Sequence, residues 1–232
     1  QGALNQKLIR LLVRRKSRRR KPKKRADNRT KIAEGLGIGS RPIEAENRLE
    51  VGHWEGDLLI GPKGSSCIGS IVERKTRYAL LVKLGDRKAK TVRRAFARRL
   101  NQQPAELRRT MTYDNGTEMA EHKRLTQQTG VSVYFAHPYS SWERGTNENT
   151  NGLVRRFYSK KTDFRRVSKA ELERLEEHLN NRPRKVLGYY TPKEMYHFEM
   201  RKAKLHDHDA MVLAMGNKSP SDLFSFLTPL RV

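Results

Sequence analysis

The sequence predicts an α/β fold: a mixed five-stranded sheet with helices on both faces. Three observations carry this expectation. Strand-like apolar runs alternate with helix-period runs from His53 onward. The second and third strands read as a hairpin. Each later strand is separated from the next by a helical stretch, the order expected of a layered sheet rather than of a bundle or sandwich.

The elements follow in chain order. HWEGDLLI (His53 to Ile60) is a strand ended by the Gly61-Pro62 turn signal. Ser66 to Ile71 and Tyr78 to Leu84 are two more strands, with Arg74 to Arg77 as the polar turn between them. Thr91 to Leu100 is a helix, because Val92, Ala95, Phe96 and Leu100 fall on one face. Arg109 to Tyr113 is a short strand running into Asp114-Asn115-Gly116. Glu121 to Gln128 is a helix stopped by Gly130, and VSVYFA (131–136) is a buried strand closed before Pro138. A helix from Asn147 to Phe157 follows. The last is a long helix from Ser168 to Asn181, opened by a Ser168/Glu171 capping box and striped by Leu172, Leu175 and Leu179.

Charge divides the chain into three parts. A basic, largely extended N-terminal arm and linker is expected over 1–45, a core over 46–198, and a C-terminal extension over 199–232. The net charge is +25, and residues 1–50 hold 16 Lys and Arg against 5 Asp and Glu. The densest run is Arg14, Arg15, Lys16, Arg18, Arg19, Arg20, Lys21, Lys23, Lys24 and Arg25. Like charges this close repel, so the run needs a polyanion to neutralise it, and phosphate contacts would do so by releasing counterions. Gly35, Gly37 and Gly39 read as a flexible link. No stretch of 18 apolar residues is present, which excludes a membrane-spanning helix. The start has no signal-peptide core, and Cys67 is a lone cysteine, so an intracellular protein without a disulfide framework is expected. The start at Gln1 suggests a piece of a longer protein.

Against this basic background three acids stand out. Asp57 lies in the first strand, Asp114 ends the fourth, and Glu148 lies in a helix with 33 residues between it and Asp114. Adjacent first and fourth strands would bring the two aspartates together, and a helix packed there would bring Glu148. Each has an ordinary alternative: an edge-strand charge, a turn residue, and a helix N-terminal acid. Three carboxylates at one point require a cation, and oxygen-only donors select Mg²⁺ or Mn²⁺. Two such ions clamp an in-line phosphoryl displacement. Glu118 and Glu143 are rival third ligands. His53 and Trp54 read as packed residues, and His137 is not assigned as a base. His206-Asp207-His208-Asp209 resembles a metal cluster but reads better as a solvated linker. Arg182, Arg184 and Lys185 extend the basic face.

RPIEAENRLEVGHWEGDLL (41–59), VERKTRYALLVKL (72–84), YDNGTEMAEH (113–122), HPYSSWERGTNENTNGLVRRF (137–157) and NNRPRKVLGYYTPKEMY (180–196) together resemble the IS30 family of DDE transposases. The resemblance implies a ribonuclease-H-like core, as in retroviral integrases, with Asp57, Asp114 and Glu148 as both the catalytic triad and the metal ligands. It also implies cleavage at transposon ends and strand transfer into target DNA. Transposon-end inverted repeats and target DNA would be the partners, acted on by a homodimer or higher oligomer in the bacterial cytoplasm, on the nucleoid. Upstream helix-turn-helix readers are usual in the family. Arg144, Asn151 and Arg155 share the Glu148 helix face and are expected to meet DNA, and Trp142 is expected to stack on a base. Tyr158-Ser159-Lys160-Lys161 departs from the family pattern, and residues 199–232 lie beyond it. An integrase-type or ribonuclease-H-like nuclease, or a non-catalytic DNA-binding protein, are the alternatives.

Overall fold

The computed structural model describes residues 35–214 except 65 and 139. The strands are β1 (Leu36–Gly37), β2 (His53–Ile60), β3 (Cys67–Glu73), β4 (Ala79–Lys83), β5 (Thr110–Tyr113) and β6 (Ser132–Phe135). The α-helices are α1 (Ile43–Asn47), α2 (Ala89–Leu100), α3 (His122–Thr129), α4 (Gly145–Phe157), α5 (Lys169–Asn180) and α6 (Pro192–Ala214). The sheet order is β1-β6-β5-β2-β3-β4. The left half is parallel, and β2, β3 and β4 form an antiparallel meander.

The sheet therefore has six strands, not five. The extra strand is two residues long and sits in the glycine-rich stretch expected to be a free link; it pairs Leu36 with Tyr134 and Gly37 with Phe135. A two-residue run has no alternation to betray it. Further along the expected arm, Arg41 is buried and donates to Thr112 Oγ1 at 2.9 Å.

Strand alternation divides the core into two layers, as period-two geometry requires. Trp54, Leu58, Ile71 and Val82 pack with Phe96 and Leu100 of α2. Leu59, Ile68 and Leu81 pack on the other face with Val154 of α4 and Leu172, Leu175 and Leu179 of α5. Glu55 and Asp57 share the parity of Leu59, so both face α4. Gly56 faces the opposite way, and a Cβ there would overlap the ring of buried Tyr113.

The capping box of α5 is formed, with Glu171 N–H donating to Ser168 Oγ at 3.1 Å and Ser168 N–H to Glu171 Oε2 at 2.7 Å. Helix α6 runs through position 198, where the core was expected to end. Its Tyr196 stacks on Tyr78 at 4.3 Å, and Glu199 pairs with Lys75 at 2.7 Å. No helix among the described residues is long and apolar enough to cross a membrane.

Two buried titratable groups beside the start of β2 oppose each other in pH. Burial pushes Glu73 up to about 7, although Thr76 and Gly52 donate to it. Burial, then Arg109, holds His53 down at about 4. Folding thus takes up a proton at Glu73 and releases one at His53. The Glu73 contribution is complete below pH 4.5 and lost as pH rises through 7. The His53 contribution is complete above pH 6.5 and lost as pH falls through 4. Each is worth on the order of 3 kcal/mol. In the parent the two slopes offset. Thermal midpoints of Glu73→Gln should therefore rise with pH across this window, and those of His53→Gln should fall; flat profiles in both variants would contradict the assignment.

Candidate active site

Asp57 and Asp114 come together because β2 and β5 are parallel neighbours. Their register pairs Glu55 with Thr112, so both strands carry their aspartate just beyond the carboxyl end of the paired stretch. Asp57 is thus on a central strand rather than an edge. Asp114 also serves its turn, accepting from Gly116 N–H at 3.2 Å.

One guanidinium joins the two acids. Arg144 stands immediately before α4, with one nitrogen 3.7 Å from Asp57 Oδ1 and another 3.5 Å from Asp114 Oδ2. It also donates to Gly56 O at 3.1 Å. Its side chain is only 13% exposed, so it is committed to this position rather than free at the surface. Burial raises the Asp57 carboxyl above its ordinary range; Arg144 lowers it, and the Asp114 charge raises it again. Glu118 is raised by burial first, and Asp114 and Asp57 add to that.

Helix α4 is pinned to the sheet by polar bonds. Asn147 N–H donates to Glu55 Oε2 at 2.7 Å, and Asn147 Nδ2 donates to Glu55 O at 2.9 Å. Glu55 is fully buried and ion-paired with Arg74. One turn on, Asn151 Nδ2 donates to Asp57 Oδ2 at 2.9 Å. The Ser70 hydroxyl faces the amide oxygens of both Asn147 (2.8 Å) and Asn151 (2.7 Å), which share its single proton. Breaking a buried ion pair by removing one partner costs about 3–5 kcal/mol. Glu55→Gln should therefore lower the denaturant midpoint by about 3 kcal/mol of stability; a loss under about 1 kcal/mol would show that Arg74 finds compensation elsewhere.

Glu148 lies in the first turn of α4, between Arg144 and Asn151, both of which touch Asp57. Its side chain is exposed. Among the described residues no group of three or more His, Cys, Asp or Glu side chains is close enough to hold a metal ion. The fold thus joins two of the three expected carboxylates and carries Glu148 on the adjoining helix face. The donor set still fits a hard cation. Both aspartates are oxygen donors, they already share one cationic group, and the Asp57 carboxyl is raised partly by the charge of Asp114.

The expected DNA-binding residues divide. Arg14 to Arg25 lie outside the described residues, as does most of the expected extension. Trp142 is 74% exposed on the turn before α4, open to a partner. Arg144 lies against Asp57 and Asp114, and Asn151 donates to Asp57. Arg155 donates to Ile60 O at 2.8 Å and Ser159 O at 3.2 Å and lies over the Phe164 ring, so it braces the end of β2. Glu143 is taken up by His137, through its N–H and Nδ1, both at 2.8 Å. His53 and Trp54 are packed, Trp54 Nε1 donating to Leu107 O at 2.7 Å. For 206–209 no side chain is described.

Sequence reading missed Glu55, Arg74, Ser70 and Asn147. The readable signal was the i, i+4 pair Asn147 and Asn151, two short amides on one helix face.

Residues 48–141 match the Integrase core domain family. The chain is 44% identical over 191 residues to the transposase for insertion sequence element IS1086 of Cupriavidus metallidurans, a match covering 82% of this chain and 56% of that protein. It is 45% identical over 164 residues to transposase InsI for insertion sequence element IS30A of Escherichia coli, covering 71% and 43%. A probable transposase for insertion-like sequence element IS1161 of Streptococcus salivarius is 39% identical over 84% of this chain and 55% of its own length. The chain thus spans about half the length of these relatives. The catalytic core domain of BIV integrase superposes with TM-score 0.51 at 19% identity, over 66% of this chain and 98% of that one, and shares the fold. The chain thus carries an integrase core domain on a ribonuclease-H-like fold and is similar over most of its length to transposases of insertion sequence elements, IS30A among them.

Proposed function

We propose that this chain is the catalytic core of an insertion-sequence transposase, which cleaves DNA at transposon ends and joins the freed 3′ ends to target DNA. The observation that carries the reading is the pair of aspartates just beyond the paired stretch of adjacent parallel strands, sharing one cationic partner beside the helix that bears Glu148. The relatives named as transposases support it. Asp57, Asp114 and Glu148 would hold Mg²⁺ or Mn²⁺, in the two-ion arrangement. Bound there, the ions would supply stabilisation of the attacking and leaving oxygens of an in-line phosphoryl displacement.

The chain's own residues prepare the place. Asn151 fixes one oxygen of Asp57, and the Leu58 N–H holds the other at 2.8 Å. Asn147 locks α4 to β2, which sets the height of Glu148 above the sheet. Cleavage and joining use the same displacement with different nucleophiles, water first and a 3′-OH second, so one site serves both. The basic run 14–25 grips DNA phosphates without reading sequence, as part of an arm over 1–45, with 46–198 as the core and 199–232 as an extension. Joining two ends calls for a dimer or larger assembly, working on DNA in the bacterial cytoplasm.

The test is strand transfer with a labelled oligonucleotide carrying the element's inverted repeat. Joined product that requires Mg²⁺ or Mn²⁺ and disappears in Asp114→Asn supports the reading. Cleavage without joining would reduce it to a nuclease, and an active Asp114→Asn protein would sink it.

A further inference from the structure

Helix α4 has a second polar face. Asn147 and Asn151 turn toward β2, bonding Glu55 and Asp57, whereas Thr146, Asn149 and Thr150 line a cavity of about 370 Å³ on the neighbouring face. The other walls bring three arginines from three separate parts of the chain: Arg48 at the end of α1, Arg77 in the β3–β4 turn, and Arg184 after α5. No carboxylate lines the cavity. Arg77 donates to Thr146 Oγ1 at 2.7 Å, and Arg184 donates to Leu179 O at 3.0 Å. Arg48 has no side-chain hydrogen bond or ion pair among the described residues. The Nε atoms of Arg77 and Arg184 are buried without a partner. Burial, then the nearby charge of Arg182, lowers the Arg184 pKa. Three converging cations without an acid leave positive potential that only an anion can relieve.

Two of these arginines occupy positions where the backbone favours glycine. Arg48 has φ 57° and Arg77 has φ 64°, both left-handed. A side chain kept where glycine fits better is kept for what the side chain does. Beside Arg184 the chain closes a turn, with Arg184 N–H on Tyr190 O (3.1 Å) and Tyr189 N–H on Arg184 O (3.0 Å). This presents the rings of Tyr189 and Tyr190 to solvent, 69% and 60% exposed. Cations in a concavity flanked by exposed aromatic faces suit a nucleic-acid strand, whose phosphates and bases take one each.

We infer that this cavity binds a DNA phosphodiester, and that α4 is the wall between it and the aspartate pair. A strand seated by Arg48, Arg77 and Arg184 would pass along the helix that carries Glu148. The inference rests on the transposase reading only in naming DNA as the polyanion.

The experiment measures binding of the full chain to a short duplex of arbitrary sequence, by fluorescence anisotropy in chelator, across a salt series. Arg48→Gly and Arg77→Gly remove the cations while giving the backbone the residue its φ prefers, and Arg48→Gly breaks no side-chain hydrogen bond among the described residues. Arg184→Gln is the third variant. Arg94→Gln, an exposed change on α2 across the sheet, controls for net charge. Arg48→Gly should retain the parent's thermal midpoint, and each folded cavity variant should lose about three- to tenfold in affinity and show a log-affinity against log-salt slope shallower by about one. Should Arg77→Gly unfold for want of its Thr146 bond, Arg48→Gly and Arg184→Gln decide the matter. Losses no greater than in Arg94→Gln, or parental slopes in the folded cavity variants, would overturn the inference. Binding here needs no catalysis, so Asp114→Asn should bind as the parent does. A failure of the transposase reading would show in strand transfer and leave this comparison intact.

Discussion

Asp114→Asn is expected to abolish strand transfer, with a loss of more than about a hundredfold, the scale reported for removing one preorganised electrostatic group. The substitution is chosen because it separates two roles. Asp114 accepts the Gly116 N–H in its turn, and an asparagine oxygen accepts the same bond. The turn survives, so a lost activity reports the missing charge. Asp57→Asn should be as severe. The Leu58 N–H can still be accepted there, but the amide would set a donor against Asn151 Nδ2 unless one of the two flips. A small fall in thermal midpoint is therefore expected for Asp57→Asn and none for Asp114→Asn. Glu148→Gln provides the third arm. Its side chain is exposed, so the fold has little to lose. Parental DNA binding in all three, with strand transfer gone, is the expected pattern. Substantial joining by any of them would remove that residue from the site, and joining by Asp114→Asn would remove the mechanism.

Much of this is legible in the sequence alone. The strands from His53 onward and the helices over 91–100, 121–128, 147–157 and 168–181 fall within a few residues of their observed bounds, because each carries strong periodicity or a cap. The parallel pairing of β2 with β5 is what makes the two aspartates neighbours, as adjacent first and fourth strands would. The misses have physical causes. Strand β1 is too short to show a pattern and is defined only by its partner β6. Helix α6 carried a readable signal: Thr191-Pro192-Lys193-Glu194 is a capping box with proline at the first helical position, and both bonds form, at 2.7 and 3.1 Å. Arg144, Asn151 and Arg155 have partners within the chain that the sequence did not show, for one reason. Helix periodicity says which residues share a face, but not whether that face meets a ligand or the protein's own carboxylates and carbonyls. In GHWEGD the eye goes to Asp57, yet Glu55 two residues earlier faces the same way, and its burial decides where α4 sits.

Arg144→Gln should bind Mn²⁺ more tightly than the parent, by about tenfold or more, when the full chain is titrated and free ion is followed by electron paramagnetic resonance. The reason is competition. A divalent ion between Asp57 and Asp114 must replace a guanidinium that stands 3.7 and 3.5 Å from their oxygens. A unit-charge pair near that separation is worth about 1 kcal/mol in water and about 4 kcal/mol in a partly buried setting, and tenfold in affinity is 1.4 kcal/mol. Losing two such competing pairs exceeds that threshold even near the lower end. Without metal, the same variant should have a lower thermal midpoint, since two neighbouring carboxylates then lack a cation and Gly56 O loses its donor. Saturating Mn²⁺ should restore more stability to Arg144→Gln than to the parent, because the ion replaces the missing charge. Arg144 in this view offsets the mutual repulsion of the two acids until a metal takes its place. Equal or weaker Mn²⁺ binding by the variant would refute the competition and make Arg144 a residue that holds the two aspartates in ligating position.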